Sequence, residues 1–226
     1  MFLFLRKHKP DIPDFWHQYQ KINHGSVLSK MPLNKLVFTA IDIESTGLNI
    51  KKDKLIAFAG IKIQELTILV AESIELIINY DTPIQDNAVH IHEIVEHEKQ
   101  SGISEYDAIR QIIQFISNSI LVGYHIQFDY QMINQILKKL IGHKLLNPYI
   151  NIIDLINRIE DPVHKIYPAS QIGLQQQCEK YGIILEDQHT AAGDAFATAQ
   201  LFLKIINKLN RRGIKTWGEL KQKVRY

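Results

Sequence analysis

The chain has 226 residues, 46% of them hydrophobic and 22% charged, which suits a soluble globular protein with one well-buried core. No uninterrupted apolar run approaches the roughly 18 residues of a membrane helix. The opening apolar run of residues 1–5 precedes Arg6, Lys7 and Lys9, the reverse of a secretory signal. A single cysteine, Cys178, excludes an internal disulfide, so the cytoplasm is the expected compartment and no membrane is expected as a partner. The net charge of +2 hides an asymmetry: residues 1–35 carry six Lys/Arg against two Asp, and residues 204–226 carry eight against one Glu. The middle therefore holds 12 basic against 21 acidic residues. Such a middle repels a polyanion unless bound cations offset it, while the basic ends can attract one or simply solubilise the chain.

In chain order, Pro10 and Pro13 break the first 35 residues, and Asp14 is placed to cap a short helix bearing Phe15, Trp16, Tyr19 and Ile22. That apolar side needs somewhere to dock, so residues 1–35 are expected to lie as a strap across the domain. Residues 36–43 form a β-branched and apolar run with apolar residues on both faces, the pattern of a strand inside a sheet. It runs into Asp42 and Glu44, which alternation puts on one side, and Gly47 lets the chain turn away beyond them. Two readings fit this pair: solvated acids at a strand end, or acids held together by Mg²⁺ or Mn²⁺. Residues 55–63 and 66–79 are two further strands separated by very little chain, which favours an antiparallel meander.

The second half alternates. Ser104 is a plausible N-cap for a helix over 104–117, followed by a short strand over 120–123. A helix over 129–141 carries Met132, Ile133, Ile136, Leu137 and Leu140 on one stripe, and Asp129 lies on that stripe in its first turn. A carboxylate on a buried helix face asks for a partner. Residues 149–153 are expected as a strand ending at Asp154, 171–181 as a helix closed by Gly182, and 191–209 as a final long helix. Cys178 shares helical spacing with Leu174 and Tyr181 and is read as core. The sum is one α/β domain, a mixed sheet with helices on both faces, whose working edge lies where the Asp42 strand ends.

His189 stands in the loop before the last helix and Asp194 about one turn inside it. Asp42, Glu44, Asp129 and Asp194 thus come from one strand end and two helix starts, with His189 beside them. That set suits two hard cations clamping a phosphate while the histidine takes a proton from the attacking water.

Three blocks, Ile41-Asp42-Ile43-Glu44-Ser45-Thr46-Gly47, Leu121-Val122-Gly123-Tyr124-His125-Ile126-Gln127-Phe128-Asp129 and His189-Thr190-Ala191-Ala192-Gly193-Asp194-Ala195, resemble the motifs of the DEDDh 3′-5′ exonucleases. That group includes the proofreading epsilon subunit of bacterial DNA polymerase III, ribonuclease T and oligoribonuclease, and the resemblance spans about residues 36–207. Asp53 after the first block, His92 ahead of the second and Ile153-Asp154 ahead of the third fit as connecting pieces. The resemblance implies a ribonuclease H-like fold and release of nucleoside 5′-monophosphates from the 3′ end of a nucleic acid, with single-stranded DNA the expected substrate. It implies that Asp42 bridges two Mg²⁺ or Mn²⁺ ions, that Glu44 and Asp194 serve the ion activating water, and that Asp129 serves the ion nearer the leaving oxygen. His189 is then the general base, and Ile43, Thr46, Gly47 and His92 contact the substrate. A DNA polymerase or replication complex is the implied protein partner. The alternatives are an RNA-trimming enzyme of the ribonuclease T or oligoribonuclease type, and a non-catalytic nucleic-acid-binding module.

Two departures stand out: Glu93 follows His92 where relatives have Gly, and Tyr124-His125 replaces their His-Asn. The expected division is an extension over 1–35, the exonuclease domain over 36–209 and a basic tail over 210–226. In that tail, Thr216 and Glu219 form a capping-box pattern for a short helix. Gln200-Leu201-Phe202-Leu203 resembles a sliding-clamp peptide but falls on the apolar stripe of the last helix, and His143 and His164 read as surface residues.

Overall fold

The computed structural model describes residues 12–25, 29–79, 102–160, 171–185, 187 and 189–222. In chain order its elements are helix α1 (Asp14–Ile22), a 3₁₀ turn (Leu33–Lys35), and strands β1 (Val37–Ser45), β2 (Leu55–Gln64) and β3 (Thr67–Ile77). Helix α2 (Glu105–Ile116), strand β4 (Ile120–Gly123), helix α3 (Gln127–Ile141) and strand β5 (Tyr149–Asn151) follow. Helices α4 (Ile152–Ile159), α5 (Leu174–Lys180), α6 (Ala191–Arg211) and α7 (Trp217–Lys221) complete the described chain. His92 and Glu93, and also His164, lie outside the described residues. Among the described residues no helix is long and apolar enough to cross a membrane.

The strands form one sheet in the order β3-β2-β1-β4-β5, with β1 antiparallel to β2 and parallel to β4. Glu65 and Leu66, both with positive φ, make the two-residue turn of the β2–β3 hairpin, the connection expected for so short a link. Strand alternation sorts β1 between two cores. Phe38 and Ala40 face Ile61, Ile63, Val122 and the helices α4 and α6, with the Phe38 and Phe202 rings 4.9 Å apart. Ile41 and Ile43 face the opposite way, toward Phe58, Leu121 and the buried stripes of α1, α2 and α3. This is the mixed, doubly covered sheet of the expected ribonuclease H-like fold. Within the second core Lys62 is buried: its Nζ donates to Thr39 Oγ1 at 3.1 Å and to the Ile116 carbonyl at 3.4 Å, and burial holds its pKa down at about 8. A cation at the C-terminal end of α2 complements that helix's dipole.

Several expectations are corrected. Asp14 is the first residue of α1 and Pro13 the cap, since proline fits the extended cap conformation with no side-chain bond to offer. Ile22 is 49% exposed because α1 turns only Phe15, Trp16 and Tyr19 inward. The strand expected over 149–153 stops at Asn151, and Asp154 lies in the first turn of α4. Ile152, Ile153, Leu155, Ile156 and Ile159 recur at helical spacing and are all buried, so the helix period prevails over β-branched propensity. His143 stacks on Trp16 at 5.1 Å rather than standing free at the surface.

The segment before β1 meets the segment after α6. Pro32 bridges Thr216, Leu33 N–H donates to the Lys215 carbonyl, and Trp217 N–H donates to the Met31 carbonyl. The Thr216–Glu219 capping box is formed, and Trp217 and Leu220 sink into the first core. At the other end of the segment, the Tyr19 hydroxyl donates to Asn147 Oδ1 and accepts from Leu146 N–H at 2.7 Å. Asn147 in turn donates to the carbonyls of Ser117 and Ser119. Tyr19→Phe leaves these buried groups short of a partner, so it is expected to cost about 1–3 kcal/mol and lower the melting temperature by several degrees in a thermal melt. An unchanged melt would mean that α1 is not held there.

Candidate active site

The site is built on small side chains. Asp42 lies opposite Ala59 and Glu44 opposite Ala57 across the β1–β2 ladder, and directly opposed residues share a sheet face. Ala57 and Ala59 pack against Ala191 and Ala195 of α6. Four methyl side chains let the start of α6 approach the strand far more closely than leucines would, and that approach brings Asp194 to the acids of β1. Asp129 arrives from the other side: β4 runs parallel to β1, the chain turns at Tyr124 and His125, and α3 carries Asp129 in its first turn.

Asp129 is 6% exposed, and its Oδ2 has no hydrogen-bond partner in the structure. Asp42, Glu44 and Asp194 are half-buried. Burial is the leading cause raising the pKa of all four carboxyls. Repulsion adds to it: Asp129, Asp194 and Glu44 raise Asp42, and Asp194 raises Glu44. The His189 side chain pulls both Glu44 and Asp194 the other way, which puts the imidazole in their electrostatic reach. Among the described residues no three acid, histidine or cysteine side chains already stand as a metal-ligand group. The donor set nonetheless fits hard cations: all-oxygen, multiply charged, mutually repelling, with a buried orphan oxygen on Asp129.

Two loops frame these acids, and each is closed by a glycine in close contact. In the β1–β2 loop, Asp53 accepts from Thr46 Oγ1 at 3.1 Å and from Asn49 N–H at 2.7 Å, and Thr46 Oγ1 accepts from Lys54 N–H. A Cβ on Gly47 would lie 2.7 Å from Asp53 Oδ2. The chain turns away beyond Gly47 as expected, with its φ outside the left-handed region, and the missing Cβ also allows the close approach of Asp53. In the second loop Thr190 caps α6 by accepting from Gly193 N–H at 3.0 Å and donates its hydroxyl to the Asp187 carbonyl at 2.8 Å. A Cβ on Gly193 would come within 2.2 Å of that carbonyl. His189, exposed and with φ 62°, is carried on this fold of chain.

The structure therefore brings Asp42, Glu44, Asp129, Asp194 and His189 together, with Thr46 and Gly47 beside them. Ile43 is 8% exposed with its side chain in the α1–α2–α3 core, so only its backbone faces the site. Asp154 is exposed on α4; the residue at the sheet edge is Asn151, whose Oδ1 accepts His125 N–H at 3.2 Å. Tyr124 is 8% exposed and its hydroxyl donates to the Ile172 carbonyl, so at this departure from the family pattern the aromatic is a tether inside the domain. The sequence marked Asp53 as fitting the family pattern and the small residues before the last helix as leaving its approach uncrowded; the hydrogen bonds of Asp53 and the partners Ala57 and Ala59 are what the structure adds.

Comparison with known proteins agrees with this fold. The fold is similar to that of Escherichia coli exonuclease I in complex with a dA16 oligonucleotide, with a TM-score of 0.63 at 19% identity over 78% of this chain and 42% of that one. A DNA polymerase III subunit epsilon-like protein of Rhodobacter capsulatus is 28% identical over 204 residues, covering 88% of this chain but only 28% of its own length. DNA polymerase III subunit epsilon of Aquifex aeolicus is 24% identical over 187 residues, covering 82% of this chain and 88% of its own length. The RNase T family model, described as an exonuclease, matches residues 39–202, well over half of the sequence and all three motif blocks, and the chain belongs to this exonuclease family.

Proposed function

We propose that the protein is a metal-dependent 3′-5′ exonuclease that shortens single-stranded DNA to nucleoside 5′-monophosphates. The observation carrying this reading is the orphaned, buried Asp129 oxygen within electrostatic range of Asp42 and Glu44, which in turn feel Asp194, with His189 exposed beside them. Asp42, Glu44, Asp129 and Asp194 would hold Mg²⁺ or Mn²⁺, two ions per site. When bound, these ions supply Lewis-acid stabilisation of the charge that develops on the scissile phosphate.

The chain's own residues do the rest. His189, on the loop tied by Thr190 and Asp187, accepts a proton from the attacking water, and the neighbouring carboxylates of Glu44 and Asp194 stabilise the imidazolium that results. Thr46, Gly47 and the Ile43 backbone, and His92 by family resemblance, seat the terminal nucleotide. The unit carrying the chemistry is residues 36–209, with 1–35 and 210–226 as its extensions. The DNA preference, a cytoplasmic setting and a polymerase or replication complex as partner draw their support from the names of the relatives. RNA trimming is the second reading, favoured by the family model's ribonuclease T designation.

A 3′-labelled oligonucleotide incubated with Mn²⁺ is expected to shorten to mononucleotides, and EDTA to stop it. Asp42→Asn and His189→Gln are each expected to slow hydrolysis by at least about 100-fold. Wild-type-like rates in either variant would remove that residue from its role, and binding without shortening would favour a non-catalytic module. Parallel DNA and RNA oligonucleotides decide the sugar preference. Gly193→Ala is expected to displace the His189 loop and lower the rate by about 100-fold, because a shift near 1 Å suffices for that loss. A rate within twofold of wild type would show that the loop tolerates the added methyl.

A further inference from the structure

The outer face of α6 carries one stripe from the catalytic end to the opposite pole. Gly193, Phe196, Gln200, Lys204, Lys208 and Arg211 follow one another at spacings of three or four and so share a side of the helix. Phe196 is 41% exposed, an unusual position for an aromatic, and all three cations are exposed. The stripe runs past two separate cavities, one toward each end, which with the exposed Lys204 between them make an interrupted groove. Ile184, Leu185 and Asp187 of the chain after α5 line the first, about 390 Å³, with Gly193, Phe196 and Gln200. Glu160, Lys180 and Tyr181 line the second, about 400 Å³, with Lys208, Arg211 and Arg212.

The fold engages these cations to different degrees. Arg212 donates to the carbonyls of Arg158 and Ile159, and Lys180 pairs with Glu160 at 2.5 Å. Lys208 lies over the Tyr181 ring at 4.2 Å, and among the described residues no acid pairs with Lys204, Lys208 or Arg211. The helix dipole accounts for cations in the last turn, but Lys204 lies outside it. A merely solvating face usually interleaves both signs, whereas residues 195–211 contain no acid, in a chain whose middle is otherwise acidic.

We propose that this groove is the track for the nucleic-acid strand upstream of its 3′ end, with a base stacking on Phe196 near the catalytic end and successive phosphates meeting Lys204, Lys208 and Arg211. An aromatic platform followed by cations suits single strands of any sequence. At 1.5 Å per residue the stripe is about 27 Å long, so it serves several nucleotides and not the terminal one alone. The direction of the strand rests on the exonuclease reading; the binding does not.

The test is fluorescence anisotropy of labelled dT12 and dT3 in EDTA, where no hydrolysis intervenes, with wild type and the triple variant Lys204→Gln, Lys208→Gln, Arg211→Gln. Glutamine keeps helix propensity, and matching melting temperatures confirm folding. The variant is expected to bind dT12 at least about tenfold more weakly, to change less than about twofold toward dT3, and to show a salt slope shallower by about 2. An unchanged dT12 affinity or salt slope, or an equal loss for both lengths, overturns the track. Tighter binding of a polyglutamate peptide than of dT12 assigns the groove to a protein and also overturns it. If the exonuclease reading alone is wrong, the wild type fails to shorten oligonucleotides with Mn²⁺ while these binding results stand.

Discussion

Burial of mutually repelling carboxylates at one end of the sheet is the constraint around which the molecule is arranged. Asp129 is almost fully enclosed with an unbonded oxygen, and Asp42 is pushed toward its neutral form first by burial and then by three neighbouring acids. Apolar packing alone gives no reason to collect such groups at the junction of two cores. A bound divalent cation would, since it would turn the repulsion into attraction.

What holds the acids in place is packing that contains no charge. The β1 side chains alternate between the α4–α6 and the α1–α2–α3 cores, so Asp42 and Glu44 can only emerge on the α6 side. The alanines at 57, 59, 191 and 195 set how near α6 comes. Gly47 against Asp53 and Gly193 against the Asp187 carbonyl apply the same device to the two loops: absence of a Cβ lets backbone close on a fixed acceptor. The helix that delivers Asp194 at its start then carries the exposed aromatic and basic stripe along its length, so on the proposed reading one element would serve both the reacting end and the upstream strand.

Much of this was legible in the sequence, because the strongest signals are periodic. The stripe of α3, the cap at Ser104, the bounds of β4 and the core side of α6 follow from spacing alone. The β5–α4 boundary was not legible, because Tyr149 to Ile153 is β-branched enough for a strand while its continuation has helical period, and only burial of both faces decides. Gly47 was legible as the place where the chain leaves the strand, but its close contact with Asp53, six residues on, was not. The small residues at the start of α6 signalled an uncrowded approach, but their partners Ala57 and Ala59 were not legible, since small residues in a strand carry no information about which helix will lie over them.

The most direct test of the buried-carboxylate account is the melting temperature with and without Mn²⁺ at about pH 5 and about pH 8. Burial raises the pKa of Asp129 to about 8, and Asp42, Glu44 and Asp194 are raised too. The folded chain thus binds more protons than the unfolded one between the ordinary carboxylate range and about 8, so metal-free stability should fall as pH rises through that window. Mn²⁺ at about a hundredfold over its Kd should restore about 2.7 kcal/mol, roughly 5–10 °C, at the higher pH and much less at the lower. In Asp129→Asn both the metal-free decline and the Mn²⁺ shift should shrink. A wild-type melting temperature that is indifferent to Mn²⁺ at pH 8, or that rises with pH in the absence of metal, would contradict the account.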